Sequence, residues 1–324
     1  MKRGMLLGKF MPLHKGHVYL IEFAMNYVDE LTVVVGTLKS EPIPGEIRYC
    51  WVKEMFPSVN VVHLQDENPQ YPHEHPEFWQ IWQNSLKRVL PWQPDLLFAS
   101  EEYGFKLAKI LGAEFIPCDQ TRSIVPVSAT QIRQNPWTNW EFLPRRVRTY
   151  FCKKICIFGP ESCGKSTLTK QLADHFNTAS VPEYARTYLE SRRFDLQYED
   201  MELIARGQLA SEKALLPNAE KLLFCDTDIL STRIWSEFLF GRSCEWLTEH
   251  SADSHFDLYL LLDIDVPWVE DPLRYLPDER QSFFSACKEM LEAHNKNYSI
   301  ISGDWQQRFN TAVQEVNKIS EDFS

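Results

Sequence analysis

Apolar and polar positions along the chain fall into two alternating textures. Short runs at residues 4–7, 31–35, 59–64, 96–100 and 114–117 are apolar at nearly every position, the pattern of strands buried on both faces. Between them, residues 17–27, 47–56 and 76–90 place apolar side chains at helical spacing. Pro57 ends the second of these, and Trp79, Trp82 and Leu86 fall on or near one face of the third. A further helix is predicted over 129–134, with Ser128 as its N-cap. Strand, helix, strand, helix predicts a parallel α/β sheet. The texture breaks over 135–148, which holds Pro136, Trp137, Trp140, Pro144 and three arginines, and this stretch reads as a junction. Then the pattern restarts, with strands at 154–158, 222–225, 258–263 and 298–301 and helices at 165–176 and 282–296. Two tandem α/β domains are expected, 1–148 and 149–324, and the chain carries no internal repeat or low-complexity tract.

Composition narrows the function classes. The 324 residues are 44% hydrophobic and 24% charged, ordinary for a chain that fills two cores. A net charge of −11 does not suit a DNA backbone, so phosphates must be held by specific groups rather than by the overall field. The eight cysteines include no CxxC pair, which predicts buried free thiols in a reducing cytoplasm. Lys9 and His14 interrupt the N-terminal apolar run, so no signal peptide is expected, and no run reaches the roughly 18 residues of a membrane span. Small-molecule partners are expected, without nucleic acid or membrane. A homo-oligomer is compatible with the sequence.

The first run leads directly into Gly8-Lys9-Phe10-Met11-Pro12-Leu13-His14-Lys15-Gly16-His17, at whose end a helix begins. A helix N-terminus offers unpaired N–H groups and partial positive charge to phosphate. His14 and His17 are three apart, so both rings can face one spot, and Gly16 lets backbone and ligand approach. Adenylyl transfer needs alignment and charge stabilisation at the α-phosphate rather than a covalent intermediate, which two imidazoles over a helix start supply. Farther on, Ser128, Thr130 and Arg133 sit at a second helix start, placed to clamp the β- and γ-phosphates that leave as pyrophosphate.

A second phosphate site follows the junction. The segment from Gly159 to Ser166, with Glu161, Ser162, Cys163, Gly164 and Lys165 between, matches GxxxxGK[ST] between a strand and a helix, and Thr167 continues it. Its backbone would cradle ATP, with Lys165 on the β/γ-phosphates and Ser166 on Mg²⁺. The run 223–225 ends in Asp226-Thr227-Asp228, where a P-loop fold keeps a carboxylate near Mg²⁺, and either acid fits. Glu183, in Val181-Pro182-Glu183-Tyr184, stands where a small-metabolite kinase keeps a base for the acceptor hydroxyl, and the sequence does not decide between it and Asp226 for that role. Trp268 either stacks on a base or packs, and Arg274 and Arg280 lie in a segment that could close over ATP.

The GxFxPxHxGH and SxTxxR pair resembles the HxGH nucleotidyltransferase superfamily. Together with the P-loop half, nearly the whole chain resembles the bacterial bifunctional nicotinamide-nucleotide adenylyltransferase/ribosylnicotinamide kinase family. Gln80-Ile81-Trp82, Asp119 with Arg122, Glu161-Ser162, Glu183-Tyr184, Asp226-Thr227-Asp228 and Val266-Pro267-Trp268-Val269 carry the likeness. The resemblance implies a Rossmann-like nucleotidyltransferase followed by a P-loop nucleoside kinase. It implies Trp82 against the nicotinamide ring, Asp119 and Arg122 at the mononucleotide, and Asp228, Trp268 and Asp271 at the nucleoside. The implied chemistry is phosphorylation of nicotinamide riboside by MgATP, then adenylylation of nicotinamide mononucleotide to NAD and pyrophosphate. Where the family has Asp-Gly, this chain has Asp271-Pro272, which removes an N–H. The family's repressor members carry a helix-turn-helix ahead of the first strand; here that strand starts near Met1, so none is expected. Two other readings fit the motifs: the same folds acting on another nucleoside or phosphate, or a non-enzymatic NAD/ATP sensor. Complete HxGH and P-loop residues weigh against the sensor.

Overall fold

A computed structural model of the chain describes residues 1–193, 195–270 and 278–321. They form two compact units, Met1–Arg148 and Thr149–Ser324. In the first unit, β1 (Arg3–Gly8), β2 (Glu30–Gly36), β3 (Asn60–Leu64), β4 (Leu96–Ala99) and β5 (Glu114–Pro117) build one sheet. The connecting helices are α1 (Lys15–Met25), α2 (Gly45–Met55), α3 (Phe78–Val89) and α4 (Tyr103–Leu111), and α5 (Ala129–Gln134) follows β5. The order is β3-β2-β1-β4-β5, with every pair parallel. The central strands are apolar through their middles because helices cover both faces: Met5, Leu6, Val33, Val34, Val35 and Phe98 are fully buried. Strand order reverses between β1 and β4, and in open α/β sheets the ligand crevice lies outside the carboxyl ends of strands at such a point.

Inside the stretch read as a junction, a 3₁₀ turn (Trp140–Phe142) precedes α6 (Arg145–Phe151). Trp140 is buried, under the Arg148 guanidinium at 5.4 Å.

The second unit runs β6 (Lys153–Phe158), α7 (Lys165–His175), β7 (Ser180–Val181), α8 (Tyr184–Ser191), α9 (Asp200–Leu215) and β8 (Leu222–Asp226). It continues through α10 (Ile229–Phe240), α11 (Glu245–Ala252), β9 (Leu258–Leu262), α12 (Arg280–Ala293), β10 (Tyr298–Ile301) and α13 (Trp305–Glu321). Its sheet is parallel throughout, in the order β10-β9-β6-β8-β7, so β6 is central and the loop after it opens at the reversal. Cys156, Phe158, Cys225, Tyr259 and Leu261 meet Phe283 and Leu291 of α12 in the core. All eight cysteines are free thiols.

Every strand expected from the apolar runs is present. The pattern left α4, α6, β7, α8–α11 and α13 unassigned. β7 has only two residues. In α13 the buried row is Arg308, Ala312 and Val316, so a helix-spaced stripe begins on an arginine and reads as polar. Among the described residues, no helix is long and apolar enough to cross a membrane.

Candidate active sites

The first site grows from the turn that joins β1 to α1. At Gly8 an added Cβ would stand 2.9 Å from the Phe10 ring, and Phe10 itself has φ 49° and is buried beneath the loop. The turn therefore packs on its own phenylalanine. His14 caps α1: its Nδ1 accepts the Gly16 N–H at 3.1 Å, while His17 Nδ1 accepts the His14 N–H at 3.4 Å. The two rings stack with centroids 3.8 Å apart. With Nδ1 accepting, a neutral ring carries its proton on Nε2, a donor suited to a phosphate oxygen. Both rings are held neutral. Burial, then the Arg122 guanidinium, lowers the His14 pKa to about 4. Burial, then His14 and Arg122, holds His17 well below its ordinary value, and a hydrogen bond to the Pro12 carbonyl offsets this only in part. Gly16 serves the ring as much as a ligand, since a Cβ there would lie 3.0 Å from His14.

Arg133 reaches back from α5 to donate to the Met11 carbonyl and, at 3.1 Å, to the Thr130 hydroxyl. The second motif is thus tied to the first. Ser128, expected at the phosphates, caps α5: its hydroxyl accepts the Gln131 N–H at 3.2 Å and donates to Gln131 Oε1 at 2.9 Å. Thr130 and Arg133 share a cavity with Gly8, Lys9, Phe10, His17 and Trp82. Trp82 forms its far wall, with Nε1 donating to the Pro69 carbonyl at 2.8 Å. A second cavity, also lined by His17, holds His14, Asp119 and Arg122. Asp119 also organises its own loop. Its carboxylate accepts the N–H groups of Ser123 at 2.9 Å and Ile124 at 3.3 Å, folding its own loop around itself. Burial would raise its pKa, but these bonds win and lower it. Arg122 pairs with Glu101 at 3.4 Å.

Sequence reasoning missed the group that fixes this turn. Arg48 of α2 is fully buried and donates to the carbonyls of Ile43 (3.0 Å) and Lys9 (2.8 Å) and to Glu41. Lys9 itself pairs with Glu41 at 3.0 Å. Nothing local marks Arg48 among the helical positions around it.

The second site opens at the end of β6. Gly159 has φ 136°, and a Cβ there would meet the Leu262 carbonyl at 2.9 Å; Gly164 has φ 90°, and its Cβ would strike the Trp305 ring at 2.5 Å. Ser162 also lies in the left-handed region, at φ 55°. Lys165 Nζ donates to the Pro160 carbonyl at 2.7 Å, as does the Cys163 thiol at 3.0 Å. Burial would lower the Lys165 pKa, but Cys163, Glu183 and Asp226 outweigh it and raise it. Arg308 of α13 is the counterpart of Arg48. It donates to the carbonyls of Cys163 (2.9 Å), Asp263 (2.8 Å) and Gly303 (2.9 Å), and it pairs with Asp265.

Asp226 and Asp228 separate here. Burial, then Glu183, raises the Asp226 pKa to about 6, against Lys165 and a hydrogen bond from Ser166. Its Oδ1 is buried without a hydrogen-bond partner. Asp228 is fully satisfied: it caps α10 through the N–H groups of Leu230 (3.0 Å) and Ser231 (3.3 Å), and it accepts from Ser254 (3.0 Å) and Tyr259 (2.8 Å). Asp228, expected at the nucleoside, is buried and turns its carboxylate to the α10 start, Ser254 and Tyr259.

One chamber runs from Glu161–Thr167 to Glu183 and Arg186, then on to an apolar end built by Leu189, Met201, Ile204 and Trp235. The aromatic wall of this chamber is Trp235, which the sequence reading did not single out. Trp268 lies elsewhere, beneath the Arg280 guanidinium at 5.9 Å. Arg280 donates to the carbonyls of Val266 (3.0 Å) and Ser162 (3.3 Å), and the Val269 N–H donates to Ser162 Oγ at 2.8 Å. The segment carrying Trp268 thus rests on the P-loop. Asp271, Pro272 and Arg274 lie outside the described residues. Among the described residues, no three His, Cys, Asp or Glu side chains gather as a metal site. The oxygen donors at the P-loop are Ser166 and the orphaned Asp226 Oδ1, a pair suited to a hard divalent cation that keeps most of its water.

Residues 154–308 match the family model described as AAA domain. Across 98% of its length the chain is 33% identical to the trifunctional NAD biosynthesis/regulator protein NadR of Escherichia coli, covering 83% of that protein. Nicotinamide-nucleotide adenylyltransferase of Thermococcus onnurineus matches 48% of this chain at 27% identity, over 83% of its own length. A crystal structure of NadR in complex with NR superposes with a TM-score of 0.81 at 24% identity, covering 98% of this chain and 95% of the other, and so shares the fold.

Proposed function

The chain belongs to the NadR family of NAD biosynthesis/regulator proteins, and from that premise we propose how its two sites divide the work. It is an enzyme of NAD biosynthesis. Its P-loop half phosphorylates nicotinamide riboside with ATP, and its HxGH half adenylylates nicotinamide mononucleotide with ATP to give NAD and pyrophosphate. The observation that carries this reading is the presence of two phosphate-holding turns, each at the reversal of its own parallel sheet and each opening into a cavity with an indole wall, Trp82 or Trp235.

In the kinase half, Lys165 would leave the Pro160 carbonyl for the β- and γ-phosphates, and the P-loop N–H groups would hold the rest. Glu183 lines the chamber between the P-loop and the apolar end. It is placed to take the proton of the riboside 5′-hydroxyl as that oxygen bonds to the γ-phosphorus and ADP leaves. Asp226 lies deeper, bonded to Ser166. We assign this pair to Mg²⁺, which when bound neutralises charge on the transferred phosphate. Trp235 would face the nicotinamide ring. Cys163, Glu161, Ser162 and Thr167 position ATP through the loop, and Arg280 fastens the covering segment to it.

In the adenylyltransferase half, an oxygen of the mononucleotide phosphate attacks the α-phosphorus of ATP, and the bond to the β-phosphate oxygen breaks. His14 would donate from Nε2 to the α-phosphate, where charge develops, and His17 would join it by turning its Nε2–H from the Pro12 carbonyl to the phosphate. Arg133 and Thr130 would meet the leaving pyrophosphate, and Trp82 the nicotinamide ring.

The test is an incubation of the full chain with nicotinamide riboside, ATP and Mg²⁺, following mononucleotide, NAD and pyrophosphate. Lys165→Ala is expected to abolish riboside phosphorylation and spare adenylylation of supplied mononucleotide; His17→Ala is expected to do the reverse. A folded, ATP-binding protein that forms neither product overturns the reading.

A further inference from the structure

A hydrogen-bond chain at the Trp82 end of the adenylyl-transfer cavity has no part in phosphate chemistry. Thr37, the residue after β2, lines that cavity. Its Oγ1 lies 3.0 Å from His63 Nε2, and His63 Nδ1 lies 3.3 Å from Glu46 Oε2. The His63 ring stacks on Tyr49 at 5.1 Å and 9°. Gly45, the first residue of α2, rests on Thr37, since a Cβ there would come within 2.7 Å of the threonine side chain. Thr37 is thus held by α2 on one side and by β3 on the other, and it is almost fully buried.

The chain fixes the polarity of one hydroxyl. Glu46 beside Nδ1 selects the tautomer with its proton there, so Nε2 is an acceptor. The Thr37 proton then has two acceptors inside the protein, Nε2 at 3.0 Å and the Leu64 carbonyl at 3.4 Å. Only lone pairs of Oγ1 are left for the cavity. An N–H donor on a ligand is welcome there and a carboxylate is not, because no proton meets it. Gly36, directly before Thr37, is 3.7 Å from the Trp82 ring when given a Cβ. A pyridine ring laid on Trp82 therefore brings its substituent to Thr37.

We infer that Glu46, His63 and Thr37 form a specificity relay that makes the adenylyltransferase half select a carboxamide-bearing pyridine mononucleotide over its carboxylate analogue. The inference rests on the reading that this half adenylylates a pyridine mononucleotide. In it, Thr37 touches the substrate, and His63 and Glu46 are positioning residues. The His63 ring is neutral near pH 7, because burial, followed by the opposing pull of Glu46 and the push of Arg48, leaves its pKa below the ordinary value. The groups that face His63 are Glu46, Arg48 and Tyr49 of α2 and Thr37 after β2, and Lys53 lies over the far partner of the stack, the Tyr49 ring. Protonation of His63 turns Nε2 into a donor to Thr37, so the hydroxyl loses its nearer acceptor and only the Leu64 carbonyl at 3.4 Å competes with the cavity for its proton. Acid should therefore relax the selection.

The experiment measures kcat/KM of the full chain for nicotinamide mononucleotide and for nicotinic acid mononucleotide, each with ATP, from pH 5 to 8. Thermal melting of each variant serves as the control for folding. The amide-to-acid ratio should be flat above pH 7 and fall only on the acid side of the ordinary histidine range, with the phosphate titration common to both nucleotides cancelling. Thr37→Val should cut the ratio about tenfold or more, as expected when a hydrogen-bond partner is lost from a built site. Thr37→Ser should restore it, and His63→Phe, which keeps the stack on Tyr49, should lower it. An unchanged ratio in Thr37→Val and His63→Phe, with adenylylation intact, overturns the relay alone. If Thr37→Val is inactive on both nucleotides, the wild-type ratio decides, and a ratio independent of pH overturns the relay. Wild-type protein that adenylylates neither nucleotide overturns the functional reading beneath it instead.

Discussion

At Asp226 burial and Glu183 push the carboxyl up to about 6, while Lys165 and Ser166 pull the other way. An unfolded aspartate titrates near 3.8, so between about pH 4 and 6 the folded chain binds the extra proton. The sign follows: this group favours folding most below that window, and its ionisation costs stability as pH rises through it. Asp226→Asn should therefore stabilise the protein in the absence of nucleotide at pH 8, by up to about 3 kcal/mol for a shift of roughly two pKa units. Thermal melts should show that gain shrinking as pH falls and gone near pH 4, while riboside kinase activity is lost at every pH. Equal melting shifts at pH 4 and 8 would contradict the assignment. Such a residue is half legible in sequence. An apolar run ending in Asp226-Thr227-Asp228 announces an acid at a strand end, but not which one. The choice is made by β9, whose Tyr259 satisfies Asp228 and leaves Asp226 with an unpartnered oxygen.

Both phosphate turns are fastened from a distance by a buried arginine that donates to backbone carbonyls. Arg48 of α2 holds Lys9 and Ile43, and Arg308 of α13 holds Cys163, Asp263 and Gly303. Occupying carbonyls in this way leaves the N–H groups of the turn for phosphate. The effect of removing such a clamp is large, because the guanidinium cannot be replaced by water in a closed core. Arg308→Ala should destabilise the kinase half by roughly 3–5 kcal/mol, since carbonyls and Asp265 lose a buried charged partner. It should raise KM for ATP in riboside phosphorylation and leave adenylylation unaltered, so two assays on one preparation check it. Gly164→Ala tests the same contact from the other side, because its Cβ would enter the Trp305 ring at 2.5 Å. The turns were readable from GxFxPxHxGH and GxxxxGK[ST], since each motif states its own local geometry. The clamps were not, because an arginine at a helical position signals a solvated face until its partners, here 39 and 145 residues away, are known. For the same reason Trp268 stood out by its motif, while Trp235 became the chamber wall only once α10 was placed.

For the whole molecule, the two activities are related by their substrates: the mononucleotide made at the P-loop is what the HxGH site consumes. Each site has its own complete phosphate turn, clamp and indole wall within one compact unit. No residue assigned to one reaction is borrowed from the other half. Chemical independence of this kind has a direct consequence. Lys165→Ala retains a full adenylyltransferase, and His17→Ala retains a full kinase. Mixed in one tube with nicotinamide riboside, ATP and Mg²⁺, the two variants should make NAD, because mononucleotide released by one protein is an ordinary diffusing substrate for the other. The yield should approach that of wild type once mononucleotide accumulates to the KM of the adenylyltransferase half, and a lag in NAD should precede that point. Wild type assayed at the same site concentrations should show the same lag if transfer runs through solution. A mixture that accumulates mononucleotide to that level yet makes no NAD, although the Lys165→Ala protein adenylylates added mononucleotide, would refute independence and require that the two halves act within one chain.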